Sequence, residues 1–77
     1  MLKKLSDFNV GETGHIVKVE GEGKIRRRLF DMGVTPGADI ILMKKAPLGD
    51  PIEITIRGYE LSLRKDEANK ILMEVVR

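Results

Sequence analysis

Hydrophobic and polar residues alternate with a period of two in the second half of the chain, and this pattern predicts β-strands. Residues 51–57 read PIEITIR and residues 59–64 read YELSLR, so each segment has one apolar face. Residues 14–20 are rich in β-branched side chains, and residues 38–45 carry apolar side chains on both faces. With residues 71–77, ILMEVVR, the pattern predicts five short strands, and the 38–45 strand is expected to lie deep in the fold.

One segment follows the helical period instead. Ile25, Leu29 and Met32 recur at positions i, i+4 and i+7, which places them on one stripe of a helix over residues 24–32. This helix lies between the first two predicted strands. We expect its apolar stripe to plug one open end of the β-structure.

The end of this helix is specified by the residues that follow it. Gly33 can adopt the left-handed conformation at C′, and Val34 at C″ can then contact Leu29, as in a Schellman motif. Pro36 prevents the helix from continuing. The sequence therefore predicts a sharp stop after Met32.

Two further helical turns are predicted near the ends of the chain. Leu5 and Phe8 are three residues apart, so one turn would direct both side chains inward. Asp66 can cap a short turn that runs through Lys70. A single helical turn before the last strand is typical of SH3-like barrels.

Five short strands would leave vulnerable edges in a flat, exposed sheet, so a curled arrangement is favoured. Tyr59, Leu61 and Leu63 then point inward together with the isoleucines of residues 51–57. The predicted fold class is mainly β: a small five-stranded SH3-like barrel with one α-helix between the first two strands. We expect residues 1–77 to form a single domain.

The composition of the chain excludes several classes of protein. The chain has 77 residues, a net charge of +2 and no cysteine, which excludes disulfides and thiolate metal sites. Its longest apolar run, residues 40–43, is far shorter than the roughly 20 residues that span a bilayer. We therefore expect a soluble, cytoplasmic protein that does not itself span the membrane.

Three strings in the chain resemble the FeoA family: RRLFDMGVTPG, KKAPLGDPIEI and RGYELSLRKDEA. The resemblance runs from about Leu5 to Val75. It implies an SH3-like domain that serves as an accessory protein in bacterial ferrous iron uptake. The implied partner is FeoB, a membrane permease with a cytoplasmic GTPase domain, which this protein would bind and modulate.

A regulatory role in a metal-responsive transcription system, or in nucleic acid binding, is the alternative, because a similar domain ends some metal-dependent repressors. Residues 24–28, KIRRR, are the most basic stretch. Helical spacing spreads Arg26, Arg27 and Arg28 over about 200°, so they do not form one patch. Aromatic residues make up only 4% of the chain, so no stacking platform for bases is evident. We expect no nucleic acid partner.

The residues offer no basis for catalysis or for a bound cofactor. His15 is the only histidine, and no serine or threonine stands at a recognisable motif spacing from a base. His15 with Glu20 and Glu22 suggests a ferrous site, but the alternation of a strand directs His15 and Glu20 to opposite faces. We predict that the chain is not an enzyme and has no metal site.

The segment APLGDP, residues 46–51, separates two strands that two residues could connect. Its prolines restrict the backbone, so Pro47, Leu48 and Asp50 are candidate partner-binding residues. Leu48 is either an exposed anchor or a cover over an open end of the barrel. The sequence leaves both open.

The outer face of the helix supplies the other candidate partner-binding residues, Arg26, Arg27 and Phe30. Phe30 lies off the apolar stripe, so it either packs against the turn at Leu5 or remains exposed as an interface residue. Arg28 flanks the stripe and is expected to pair with a carboxylate.

Overall fold

The computed structural model describes residues 1–76, and six β-strands and two α-helices lie within that range. The strands are β1 (Leu2–Lys4), β2 (Thr13–Val19), β3 (Asp39–Lys45), β4 (Ile52–Ile56), β5 (Tyr59–Leu63) and β6 (Ile71–Val76). The helices are α1 (Gly23–Asp31) and α2 (Lys65–Ala68), and a 3-10 turn covers Leu5–Asp7.

All strands belong to one antiparallel sheet with the order β1-β6-β2-β3-β4-β5. The register shifts between Ile16 and Lys18 in β2 and between Leu42 and Lys44 in β3. Such bulges bend a strand and increase its twist, so they allow the sheet to curl around a core. The prediction of a mainly β fold is confirmed.

The predicted number of strands and the placement of the helix are wrong. The chain begins with an additional strand, β1, in which Leu2 lies opposite Glu74 and Lys4 lies opposite Leu72 of β6. β1 has three residues and no alternating pattern, so its only signal is a pairing partner 70 residues away. With β1 included, α1 lies between the second and third strands instead of the first and second.

The core lies on the concave face of the sheet. Its largest fully buried side chains come from the 3-10 turn, from five strands and from α1: Leu5, Phe8, Ile16, Leu29, Ile40, Leu42, Ile52, Ile54, Ile56, Leu63, Ile71 and Met73. The predictions for the isoleucines of β4 and for the turn at Leu5 and Phe8 are confirmed. β3 corrects the expectation of two buried faces, because Ile41 and Met43 point to the exposed face of the sheet.

α1 contacts the core through the buried Leu29 and the half-buried Phe30, and only part of the predicted stripe is buried. Leu29 is completely buried, whereas Ile25 is 38% exposed and Met32 is half-buried beyond the end of the helix. Ile25 lies one turn before Leu29, near the start of a helix that is fixed at its other end. The expectation that Ile25 would help to plug the barrel is therefore wrong.

The C-terminal end of α1 forms the predicted Schellman motif. The N–H of Val34 donates to the carbonyl of Leu29 at 2.9 Å, and the N–H of Gly33 donates to the carbonyl of Phe30 at 3.0 Å. Gly33 has a φ of +87°, which favours glycine at this position. This motif holds Leu29 in the core because it fixes the end of the helix nearest to it.

The inward alternation predicted for β5 is only partly correct. Leu63 is buried, Leu61 is half-buried and Tyr59 is 41% exposed. Tyr59 and Leu61 do lie opposite Ile56 and Ile54 of β4. However, β5 is an edge of the sheet, so no neighbouring strand covers the other side of these two side chains.

α2 has a different N-terminal cap from the one predicted. Arg64 occupies the N-cap position, and Asp66 lies within the first turn of the helix. The carboxylate of Glu67 accepts the backbone N–H of Arg64 at 2.9 Å. This is the reach-back contact that an acidic residue makes at N3, so Glu67 supplies the cap that the sequence assigned to Asp66.

Candidate interaction surface

Residues 46–51 form a fixed loop between β3 and β4, here called the Leu48 loop. The N–H of Gly49 donates to the carbonyl of Ala46 at 2.7 Å, and the N–H of Ala46 donates to the carbonyl of Pro51 at 3.0 Å. The carboxylate of Asp50 accepts the N–H of Lys65 at 3.1 Å, at the start of α2. The loop is therefore closed on itself and tied to a neighbouring helix.

The exposure of Leu48 distinguishes between the two alternatives left by the sequence. Its side chain is 91% exposed, so it does not fold over an open end of the barrel. Pro47 and Asp50 are also exposed. Asp50 has in addition a structural role that sequence reasoning missed, because it accepts the first N–H of α2. The signal was present, since aspartate is a common capping residue, but its partner is 15 residues away.

The other predicted residues lie on the outer face of α1. The guanidinium of Arg26 stacks over the ring of Phe30 at 4.4 Å from its centroid, and its Nε donates to the carbonyl of Val19 at 3.4 Å. Phe30 is half-buried and packs against the core. Arg26, Arg27 and Phe30 line a shallow pocket of about 360 Å³ together with Gly23 and Asp31.

Arg28 points toward α2. Its Nη1 lies 3.4 Å from the carboxylate of Glu67, which confirms the prediction that Arg28 pairs with a carboxylate. Glu67 is buried, whereas the side chain of Arg28 is 67% exposed. The three consecutive arginines therefore have separate surroundings, because Arg26 stacks on Phe30, Arg27 is exposed and Arg28 contacts Glu67.

A second pocket of about 340 Å³ connects the Leu48 loop with α1. It is lined by Arg28, Pro51, Ser62, Leu63, Arg64 and Glu67. The contacts run from Asp50 to the start of α2, and from Glu67 of α2 to Arg28 of α1. The structure thus places the Leu48 loop beside the Arg28 side of α1, whereas Arg26, Arg27 and Phe30 line a different pocket.

Arg57 is a residue whose role sequence reasoning missed. It has a φ of +48° in the two-residue turn between β4 and β5, where Asn or Gly is the usual choice. Its Nε donates to the carbonyl of Gly33 at 3.0 Å, and its Nη2 donates to the hydroxyl of Thr35 at 2.7 Å. These bonds attach the β4–β5 turn to the end of α1. Only the unusual residue type in an Arg-Gly turn could have signalled them.

Neither a metal-binding group nor a membrane-spanning helix is found among residues 1–76. Within residues 1–76, no group of three or more His, Asp or Glu residues is placed to hold a metal ion. His15 is half-buried in β2 and lies opposite Glu74 on one side and Asp39 on the other. In the same range, none of the helices has the length and apolar character needed to cross a bilayer.

Comparison with known proteins identifies relatives over nearly the whole chain. The sequence profile of the FeoA domain family matches residues 3–75. A fusion protein of Fe(2+) transport protein A and the Fe(2+) transporter FeoB from Porphyromonas gingivalis is 40% identical over 73 residues. That match covers 95% of this chain and only 9% of the fusion protein.

Solved structures give the same result for the fold. An FeoA-like protein from Clostridium acetobutylicum is 42% identical, with a TM-score of 0.89 over 96% of this chain and 86% of the other. The zinc-complexed FeoA of Stenotrophomonas maltophilia, described as an SH3 domain protein, has a TM-score of 0.81 at 22% identity, over 94% and 89% of the two chains. The fold is therefore SH3-like, and the chain belongs to the FeoA domain family, a family of small accessory domains associated with ferrous iron transport.

Proposed function

We propose that this protein is a cytoplasmic accessory module of bacterial ferrous iron uptake that binds a FeoB-type permease and modulates its GTPase domain. The natural fusion of a related domain with FeoB supports this partner, because fusion keeps two interacting domains at high effective concentration. In this proposal, residues 1–77 act as one binding domain without catalytic activity and without a cofactor of their own.

The observation that carries the proposal is the exposure of Leu48. Transfer of a leucine side chain from water into an apolar pocket contributes roughly 1.5–3 kcal/mol. The Leu48 loop is already ordered by its bonds to Ala46, Pro51 and Lys65, so its entropy cost on association is small. Leu48 would act as an anchor that inserts into an apolar pocket of the permease's cytoplasmic part.

In this proposal, the outer face of α1 adds a second, charged contact with the permease, at a pocket separate from the Leu48 loop. Arg27 is exposed, and Arg26 is held in position by Phe30 and Val19. Charged groups at the rim of an interface influence the association rate more than the affinity. We expect Arg27→Glu to slow association with the permease and to change its salt dependence, with a smaller effect on dissociation.

The proposal is tested by binding of Leu48→Ser to the isolated cytoplasmic domain of the permease, measured by titration calorimetry. Val10→Ser is the matched control, because Val10 is also an aliphatic residue in a connecting segment and is 61% exposed. We expect Leu48→Ser to weaken binding by about 1–2 kcal/mol with an unchanged melting temperature, and Val10→Ser to leave both unchanged. Equal affinities of the unchanged protein, Leu48→Ser and Val10→Ser for the permease domain would refute the role of the Leu48 loop.

The nucleic acid alternative requires several basic side chains that reach phosphates along one surface. Arg26 and Arg28 are instead engaged with Phe30 and Glu67, in different directions. Column retention on duplex DNA at low and at physiological salt distinguishes the two functions. We expect no salt-dependent retention, and a steep salt dependence would favour the regulatory function.

A further inference from the structure

β5 is an edge of the sheet and bonds to β4 on one side only. Arg57 and Gly58 form a two-residue connection, so the flanking pair Ile56 and Tyr59 is a hydrogen-bonded pair, and bonded pairs then recur at every second residue. Tyr59, Leu61 and Leu63 therefore direct their backbone groups to β4. Glu60 and Ser62 direct theirs away from the sheet.

The outward N–H and C=O groups of Glu60 and Ser62 form a short unpaired ladder. Within residues 1–76, none of the hydrogen bonds outside the sheet uses these four groups. Both side chains are exposed, and within residues 1–76 no hydrogen bond from α1 or α2 reaches the outward backbone groups of this edge. An unpaired edge of this kind is a template for another strand.

We propose that β5 pairs with β5 of a second copy of this chain. The two strands are antiparallel, and the two-fold axis that relates the copies passes through the pair formed by Leu61 and its counterpart. In this register, Glu60 lies opposite Ser62 of the second copy, and the reverse pair is related by symmetry. Each of the two pairs exchanges two backbone hydrogen bonds, so all eight outward groups of the two copies are satisfied. The interface is isologous, which is the commonest arrangement in homodimers.

The alternative registers satisfy fewer groups. Centring the axis on Ser62 would place Glu60 opposite Arg64, but the backbone groups of Arg64 are already used. Its N–H donates to Glu67 and its carbonyl accepts the N–H of Ala68, both at 2.9 Å. Centring the axis on Glu60 would place two carboxylates directly opposite each other, which is unfavourable.

The side chains fit the register centred on Leu61. Leu61 would meet its own copy in a non-hydrogen-bonded pair, where side chains approach most closely. Tyr59, which is 41% exposed, would lie opposite Leu63 of the second copy. On the other face of the ladder, Glu60 would lie diagonally to Arg64 of the second copy, which pairs opposite charges.

This surface is small, so the association should be weak. Five residues from each copy bury less than the roughly 1,200 Å² that separates stable from transient interfaces. An interface of this size is typical of transient association, so we expect a dissociation constant on the order of 0.1–1 mM.

Single-cysteine variants test the register, because the natural chain contains no cysteine. We oxidise three variants separately: Leu61→Cys, Glu60→Cys and Ser62→Cys. The protein concentration is about 0.5 mM, which lies within the range expected for the dissociation constant. We expect Leu61→Cys to form a disulfide-linked dimer at least about tenfold faster than the other two, since Cα atoms more than about 7 Å apart are not bridged. Equal rates, or faster cross-linking at position 60 or 62, would overturn the proposal.

A second test uses the backbone donor of Ser62. Ser62→Pro removes an N–H that no hydrogen bond among residues 1–76 requires, and proline is tolerated on edge strands. Ser62→Thr is the matched control because it keeps the donor. In sedimentation equilibrium up to about 1 mM, we expect dimers of the natural chain and of Ser62→Thr, and monomers of Ser62→Pro with an unchanged circular dichroism spectrum. A monomeric natural chain, or a dimeric Ser62→Pro variant, would overturn the proposal.

Discussion

Replacement of Leu29 by alanine is expected to destabilise the fold more than any other alanine substitution within α1. Leu29 is the one buried residue of that helix, and it lies among the buried side chains of the sheet. The other residues of α1 are exposed, except for the half-buried Phe30. The substitution therefore removes the main apolar attachment of α1 without changing its polar contacts.

The magnitude follows from the carbon atoms that are removed. Leu→Ala deletes three buried carbons, and at about 0.8 kcal/mol for each the lost transfer energy is roughly 2.4 kcal/mol. A residual cavity adds to this cost, and relaxation of the helix into the cavity reduces it. The Schellman motif at Gly33 and Val34 limits that relaxation. We expect a loss of about 2–4 kcal/mol in the free energy of unfolding.

Two controls on the same helix separate burial from other effects. Ile25→Ala removes the same number of carbons from a side chain that is 38% exposed, and should cost less than about 1 kcal/mol. Leu29→Met preserves most of the volume and should cost less than about 1.5 kcal/mol. A helix attached by the whole stripe would instead give similar losses for Ile25→Ala and Leu29→Ala.

Equilibrium unfolding in urea measures the free energy of unfolding of Leu29→Ala, Ile25→Ala and Leu29→Met. A domain of this length has a stability of about 4–12 kcal/mol, so the expected loss is a large and measurable fraction of the total. The slope of the transition should remain the same, because the surface exposed on unfolding changes little. A loss below about 1 kcal/mol for Leu29→Ala would refute the reasoning, since a fully buried leucine cannot be removed at that cost.

Three further predictions concern close packing and polar contacts. A Cβ on Gly14 would lie 2.4 Å from the carbonyl oxygen of Glu74, so Gly14→Ala should lower the stability by more than about 2 kcal/mol, and an unchanged melting temperature would contradict this. Glu67→Ala should lower the free energy of unfolding in urea by about 1–3 kcal/mol, because it removes the buried acceptor of the Arg64 N–H. Arg28→Ala breaks only a largely exposed ion pair and should lower it by less than about 1 kcal/mol. Equal losses for the two variants would contradict this prediction. Arg57→Asn relieves the unfavourable φ but removes two hydrogen bonds, so we expect a net loss of less than about 1.5 kcal/mol, and the hydrogen exchange of the Gly33 region should increase.

The parts of the fold that the sequence predicted are those with local signals. The alternation in β4 is set by successive residues, and its isoleucines are buried as expected. The end of α1 is specified by Gly33 and Val34, which are adjacent in sequence, and both hydrogen bonds of the motif are present. In each case the residues that carry the signal also make the contact.

The parts that the sequence did not predict depend on distant residues. β1 forms because it pairs with the edge of β6, and nothing in Leu2–Lys4 alone indicates a strand. The exposure of Ile25 depends on the angle at which α1 meets the sheet, which the helical period does not determine. The cap of α2 comes from Asp50 and Glu67 together, and the first of these belongs to a loop that precedes two further strands.

Leu48 and Arg57 both break a local rule, but of these two only Arg57 is compensated by contacts among residues 1–76. A positive φ at a non-glycine residue is unfavourable, and Arg57 regains free energy through its bonds to Gly33 and Thr35. Leu48 exposes an apolar side chain on an ordered loop, and none of the buried residues among 1–76 packs against it to offset this. Departures from local consistency occur mainly where function requires them. In the proposed function, the permease supplies the compensation that Leu48 lacks within residues 1–76, so the binding test is directed at Leu48 and not at the more unusual Arg57.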